Sequence, residues 1–221
     1  YDWDHAEKRH KIAHDYLIAN YVCPSGKHYA LEFRRFRKRE ACAATAAELQ
    51  AREGGLEAAS EDDRRRATFK SHTLLCCELV DWVVERKLPG TFTFDSDFTN
   101  APVLNHIDKH ARGYVGDLTC NRKVWFHGVE MKADAMATQI PTASRKRVRC
   151  GNRTQWYFTK TIWMPEVTHA VRIVILWEHW NGKEPAKMLV TNQTHWEVTR
   201  ILRSYRGRWT GTETLHRDGT Q

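Results

Sequence analysis

No apolar run in this 221-residue sequence reaches the roughly 18–20 residues needed to cross a bilayer, so no membrane span is expected. The first eleven residues, Tyr1–Lys11, are polar and charged and lack the apolar middle of a secretory leader. No Cys-x-x-Cys pair and no regular spacing occurs among Cys23, Cys42, Cys76, Cys77, Cys120 and Cys150. This argues against a disulfide framework or a zinc knuckle, and for reduced, mostly buried thiols in a cytoplasmic protein. His72 and Cys76 read as a helical pair rather than half a metal site. Internal repeats and low-complexity tracts are also missing.

What is present is core material and positive charge. Hydrophobic residues make up 41% of the chain and nine are Trp, which excludes the disordered classes. The length suffices for one substantial core, or one core with an inserted subdomain. Formal net charge is +8 and the sequence pI about 9.3. The cations are clustered: Arg34, Arg35, Arg37, Lys38 and Arg39; Arg64, Arg65 and Arg66; Arg145, Lys146, Arg147 and Arg149. Clusters of this kind suit a polyanion, because each phosphate they neutralise releases condensed counterions. The tract at 145–149 reads either as a solvated loop or as a DNA contact.

Periodicity gives a mixed α/β order. Asp15–Cys23 and His28–Arg37 alternate as strands around the turn residues Pro24-Ser25-Gly26, which predicts a hairpin. Lys38–Glu53 and Phe69–Leu88 read as helices, with a charge run at Glu61–Arg66 between them. Thr91–Asp95 and Tyr114–Leu118 are short strands flanking a helix that Thr99 or Asn100 caps. Val124–Phe126, Trp156–Met164, Val171–His179 and Lys187–Thr191 follow as strands. Thr194 and Glu197 have the spacing of a capping box ahead of the stripe Val198, Ile201, Leu202, Tyr205 and Trp209.

Asp95 ends an apolar strand, in Phe94-Asp95-Ser96-Asp97-Phe98. Strand ends at the carboxyl edge of an α/β sheet are where ligands commonly bind, and a carboxylate there suits Mg²⁺, which takes oxygen ligands. The plainer reading is a cap for the next turn. A third is the acid-x-acid motif of metal-dependent glycosyltransferases, but no nucleotide-binding βα unit precedes it.

The C-terminal stretch from Tyr205 through Arg208 to Glu213 and Asp218, YRGRWTGTETLHRD, resembles the tyrosine–arginine–glutamate signature of insertion-sequence DDE transposases. FDSDFTNAPVLNH resembles the family's segment around its second catalytic Asp. GYVGDLTCNRKVWF and KMLVTNQTHWEVTRILRSYRGRW are similar to the strands and helix that bracket its β-rich insertion. The resemblance implies an RNase H-like α/β fold: a mixed sheet with helices on both faces. It further implies core segments at 1–120 and 186–221, with a β-rich insertion at 121–185.

By that resemblance Asp95 and Glu213 are the catalytic metal ligands, and Tyr205 and Arg208 are accessory. The metal is Mg²⁺ (or Mn²⁺), and the partner is double-stranded DNA held by Arg145, Lys146, Arg147, Arg149 and Arg206. The implied working state is a nucleoid-associated homodimer. The reaction is strand cleavage and transfer at the ends of a mobile element.

Three departures are visible. No acid matches the family's first Asp, so the chain is expected to begin after it and to be deficient in catalysis alone; a non-catalytic DNA-binding remnant is the alternative. The signature's closing lysine falls at Thr220. Arg208 and Glu213 are one position further apart than the family's commonest spacing. In a straight helix that step separates them by roughly 140° instead of about 40°, which predicts a bulge or kink near Trp209–Gly211.

Overall fold

A computed structural model describes residues 2–4, 9–11, 15–23 and 25–218, with side chains from 15 to 208 apart from 24. Pro24 and Thr220 lie outside the described residues, as does the side chain of Glu213. The chain divides into two compact units, Tyr1–Tyr21 with Tyr29–Trp82, and Val22–His28 with Val83–Gln221.

In the first unit β1 (Asp2–Asp4) pairs antiparallel with β2 (Arg9–Lys11). The expected hairpin forms from β3 (Asp15–Val22) and β4 (His28–Phe36), with its turn, Val22–His28, counted in the second unit. Gly26, at φ 82°, gives its N–H to the Cys23 carbonyl at 2.9 Å, in the left-handed conformation that glycine adopts without penalty. Next come α1 (Arg39–Gln50), α2 (Gly55–Ala58) and α3 (Glu61–Ala67). The charge run thus closes into a short helix, with the Ser60 hydroxyl accepting the Asp63 N–H at 3.1 Å. The helix α4 (His72–Glu85) buries Leu75, Leu79, Val80 and Val83. His72 stacks on Phe36 at 3.8 Å and meets Asp15 at 3.0 Å, which explains it without a metal.

The second unit runs β5 (Phe92–Phe94), α5 (Ala101–Lys109), β6 (Tyr114–Asp117), β7 (Lys123–Phe126), β8 (Val129–Lys132), α6 (Ala133–Thr138), β9 (Lys146–Cys150), β10 (Arg153–Ile162), β11 (Val171–Trp177), β12 (Lys187–Thr191) and α7 (Val198–Asp218). Six strands form one mixed sheet in the order β5-β6-β12-β11-β10-β9, with β5 and β6 parallel and every other pair antiparallel. Successive side chains alternate between its faces. Val115, Leu189, Val174, Leu176 and Val148 therefore project to one face, where α7 covers them with Val198, Ile201, Leu202 and Tyr205. On the other face Tyr114 reaches His169, which sits 3.4 Å from Asp108 of α5. That helix buries Val103, Leu104 and Ile107 completely and starts as expected, with the Asn100 side chain accepting the Val103 N–H at 3.2 Å.

The segment 121–185 is β-rich, but only β7 and β8 form a separate hairpin; β9, β10 and β11 make up half of the main sheet. The basic tract is one of these strands: Arg147 pairs with Trp156, and Val148 points into the core between charged neighbours. The charges hid that alternation. The hairpin strand β8 and the helix α6 were likewise not anticipated.

Two expectations about the last helix are corrected. Its first turn begins at Val198, not at a capping box on Thr194. Arg172 donates to the carbonyls of Thr194 at 2.8 Å and Trp196 at 2.9 Å, which holds this stretch as a turn. The N–H groups of Arg200 and Ile201 then bond to the Glu197 carbonyl. The helix also runs as unbroken α-helix through Trp209–Gly211, without the expected bulge. A glycine inside a helix costs only about 1 kcal/mol relative to alanine, too little to force a break. No helix among the described residues is long and apolar enough to cross a membrane.

Candidate active site

The parallel pair β5 and β6 places two carboxylates at one edge. Phe94 is in register with Gly116, so the next residues, Asp95 just past β5 and Asp117 at the end of β6, follow side by side at the carboxyl end of the pair. Adjacent strands lie roughly 4.8 Å apart. The step is possible because residue 116 is glycine. A Cβ there would lie 2.5 Å from the Phe94 ring and 2.7 Å from the Thr99 hydroxyl.

Asp95 has two roles. Its Oδ1 accepts the Asp97 N–H at 3.3 Å and starts the short 3-10 turn Ser96–Phe98, while its carbonyl accepts the Thr99 hydroxyl at 3.2 Å. The capping reading of this residue therefore holds. The other oxygen, Oδ2, faces Arg208 Nη1 at 3.7 Å. The Asp95 side chain is 44% exposed and Arg208 18%, so the carboxylate is open to solvent and the guanidinium is largely sheltered. An ion pair this long and this exposed contributes little to stability, about 0–1 kcal/mol. Its importance is one of placement.

Arg208 also donates through Nη2 to the Tyr205 hydroxyl at 3.3 Å, and Tyr205 is buried in the core beneath α7. On the strand side Lys187 Nζ is 2.8 Å from Asp117 Oδ2 and 5.2 Å from the centre of the Tyr205 ring. Burial, the largest single influence, would lower the Lys187 pKa, but the Asp117 carboxylate and the Tyr205 hydroxyl together outweigh it and hold the ammonium above its ordinary value. The five side chains thus form a chain in which one phenol stands between two cations, each with its own carboxylate: Asp117, Lys187, Tyr205, Arg208, Asp95.

Asp95, Tyr205 and Arg208 are therefore brought together. Glu213 belongs to the same helix, and its side chain lies outside the described residues. Of the basic set, Lys146, Arg147 and Arg149 are exposed on β9. Arg206 is exposed too, with Nη1 donating to the Cys150 carbonyl at 2.9 Å. Arg145 is different. It is buried, stacked 3.9 Å from the centre of the Trp177 ring, and donates to the carbonyls of Trp180 and Gly182, each at 2.8 Å. It holds a loop in place and faces no solvent.

Strand β9 is the edge of the sheet opposite β5. The helix α7 packs against both edge strands, with Arg206 reaching Cys150 at the end of β9 and Arg208 facing Asp95 just past β5. Asp117 and Lys187 were missed by sequence reasoning. The available signal was that β6 ends on an aspartate, as β5 is followed by one.

Asp95 supplies the kind of hard oxygen donor that Mg²⁺ or Mn²⁺ takes. Asp117 is the neighbouring carboxylate, and Lys187 neutralises it. No family model and no curated protein matches the chain.

Proposed function

We propose that the second unit carries the strand-cleaving site of an insertion-sequence DDE transposase, on an RNase H-like core acting on double-stranded DNA. The observation that carries this reading is the meeting of Asp95 with Arg208, which Tyr205 holds. Two motifs far apart in sequence each resemble the same family, and their key residues lie within hydrogen-bond or ion-pair distance of one another. A resemblance of unrelated segments would have no reason to converge in space.

In this reading Asp95 and Glu213 hold Mg²⁺ or Mn²⁺. When bound, such ions activate water or a 3′-hydroxyl and stabilise the leaving oxygen in displacement at phosphorus. The chain's own groups do the positioning. Arg208 is always charged and presents a planar fork suited to a phosphate. Tyr205 is fixed by burial and orients that fork. Lys146, Arg147, Arg149 and Arg206 form an exposed basic band at the far edge, which suits the backbone of the same duplex. A homodimer at the nucleoid is the working state this reading carries with it.

A second reading is DNA binding without cleavage. It is favoured by the pairing of Asp117 with Lys187, which leaves Asp95 as the more accessible carboxylate of the two strand ends. Metal-dependent nicking of supercoiled DNA separates the two. Nicking that is lost in Asp95→Asn supports catalysis at this edge, whereas DNA binding with no nicking by the wild type leaves the second reading.

A further inference from the structure

The proposed site accounts for Asp95, Tyr205 and Arg208 but leaves unexplained a second cation on the other side of the same phenol. We propose that Lys187 is a phosphate-contacting residue of this edge, and that Asp117 is the counter-ion a DNA phosphate displaces from it. The inference rests on the DNA-binding reading above.

The geometry is specific. Leu189 is in register with Asp117, so Lys187 lies two residues along β12, on the sheet face that α7 covers and at the end where β6 stops. Its Nζ is 2.8 Å from Asp117, and the Tyr205 ring centre is 5.2 Å away. Arg208 sits 5.4 Å from that ring centre. Tyr205 therefore carries one cation on the Asp95 side and one on the Asp117 side. The Lys187 side chain is 30% exposed and that of Asp117 20%, so the pair is reachable from solvent rather than sealed in the core.

A lysine that served only the sheet would be expected to bury its stem and leave its head in water. This one turns its head to a carboxylate at the site, and the exchange of partners follows from charge. With Asp117 bound, the pair is neutral and adds nothing to the attraction of a polyanion. A phosphodiester oxygen has the same sign and similar hydrogen-bonding capacity as the carboxylate. Exchanging one for the other keeps Lys187 neutralised and leaves Asp117 free. Asp117 is then a brake on binding rather than a support for it.

That gives two substitutions opposite signs. Lys187→Gln removes a phosphate contact and weakens binding, and the slope of log affinity against log salt falls by about 0.9. Asp117→Asn removes the competitor and tightens binding. A purely structural ion pair would instead make both substitutions harmful. A general effect of lost negative charge would make Asp117→Asn tighten binding whatever stands at 187. The double variant separates these cases, because the gain from Asp117→Asn requires Lys187 to be present.

The experiment is fluorescence anisotropy of a short DNA duplex of arbitrary sequence, titrated at several salt concentrations. The variants are Lys187→Gln, Lys187→Arg, Asp117→Asn and the Asp117→Asn/Lys187→Gln double, with a thermal melt of each as the folding check. The expected result is a reduced slope for Lys187→Gln, a retained slope for Lys187→Arg, tighter binding by Asp117→Asn, and a double variant that matches Lys187→Gln. An unchanged slope in Lys187→Gln overturns the inference, as does weaker binding by folded Asp117→Asn or a gain that persists in the double variant. In each of those cases the wild type still binds and the DNA-binding reading stands. A wild type that does not bind DNA overturns that reading and this inference with it.

Discussion

Gly116→Ala is the substitution whose cost the structure defines most sharply. Gly116 lies on β6 in register with Phe94, and the added methyl would sit 2.5 Å from Phe94 Cε2, 3.0 Å from its Cδ2 and 2.7 Å from Thr99 Oγ1. Neither neighbour is free to retreat. Phe94 is buried and packs 5.9 Å from the ring of Tyr114, and Thr99 is fully buried with its hydroxyl bonded to the Asp95 carbonyl. Forcing a methyl into a well-packed core costs typically about 1–3 kcal/mol. A domain of this size loses roughly 2–4 °C of melting temperature per kcal/mol, so a fall of about 2–12 °C is expected. Thermal denaturation followed by circular dichroism measures it. Phe94→Leu in the Gly116→Ala background vacates the ring's space and should recover part of the loss, giving a coupling between the two sites. A Gly116→Ala protein that melts with the wild type would refute the packing argument for this edge.

Acidification should destabilise the second unit through His169. Burial lowers its pKa, with Asp108 pulling the other way, while burial also raises that of Tyr114, so the phenol remains protonated in its hydrogen bond with His169 Nε2. With the folded-state value below the unfolded 6.5, the unfolded chain binds the proton more readily; stability is full above pH 6.5 and falls as pH drops below it. Melting curves across that range should show the decline in the wild type and less of it in His169→Gln, and parallel profiles would contradict the assignment. Arg145→Ala should cost about 1–3 kcal/mol by leaving the carbonyls of Trp180 and Gly182 without their donor. It should leave the salt slope of DNA binding unchanged, whereas Arg147→Gln should reduce that slope; a reduced slope for folded Arg145→Ala would show that this residue reaches the duplex after all.

Much of the fold was legible because the signals were local. The strand within Thr91–Asp95, formed at Phe92–Phe94, the Asn100 cap and the stripe Val198, Ile201, Leu202 and Tyr205 of the last helix are each short patterns that a few residues carry. The charged tract at 145–149 was not legible as a strand, because Val148 is its single buried apolar position and the alternation shows only once β10 is beside it. The start of α7 was misjudged for a related reason. The capping-box spacing at Thr194 is genuine, but Arg172, from a strand more than twenty residues upstream, takes the carbonyls of that turn. No local pattern contains that partner.

The same limit applied to the site. Asp95, Tyr205 and Arg208 were visible through motif resemblance, because each lies in a stretch with its own signature. Asp117 and Lys187 lie at the ends of unremarkable short strands. What brings them to the site is the parallel pairing of β5 with β6 and the antiparallel pairing of β12 with β6, a property of the sheet rather than of either segment. Arg145 shows the reverse error, since a residue in a basic run was assigned to the surface when Trp177 had already sequestered it.

The most direct test of the central claim is the rate of supercoiled-plasmid nicking as a function of Mn²⁺ concentration, in the wild type and in Asp95→Asn. The account predicts nicking that rises and saturates with Mn²⁺ in the wild type. In Asp95→Asn, which should keep its fold because the Asp95–Arg208 pair is long and the amide oxygen can still cap the Asp97 N–H, it predicts loss of nicking at every Mn²⁺ concentration while DNA binding persists. Equal nicking by the folded Asp95→Asn protein would contradict it and place any cleavage chemistry away from this edge of the sheet.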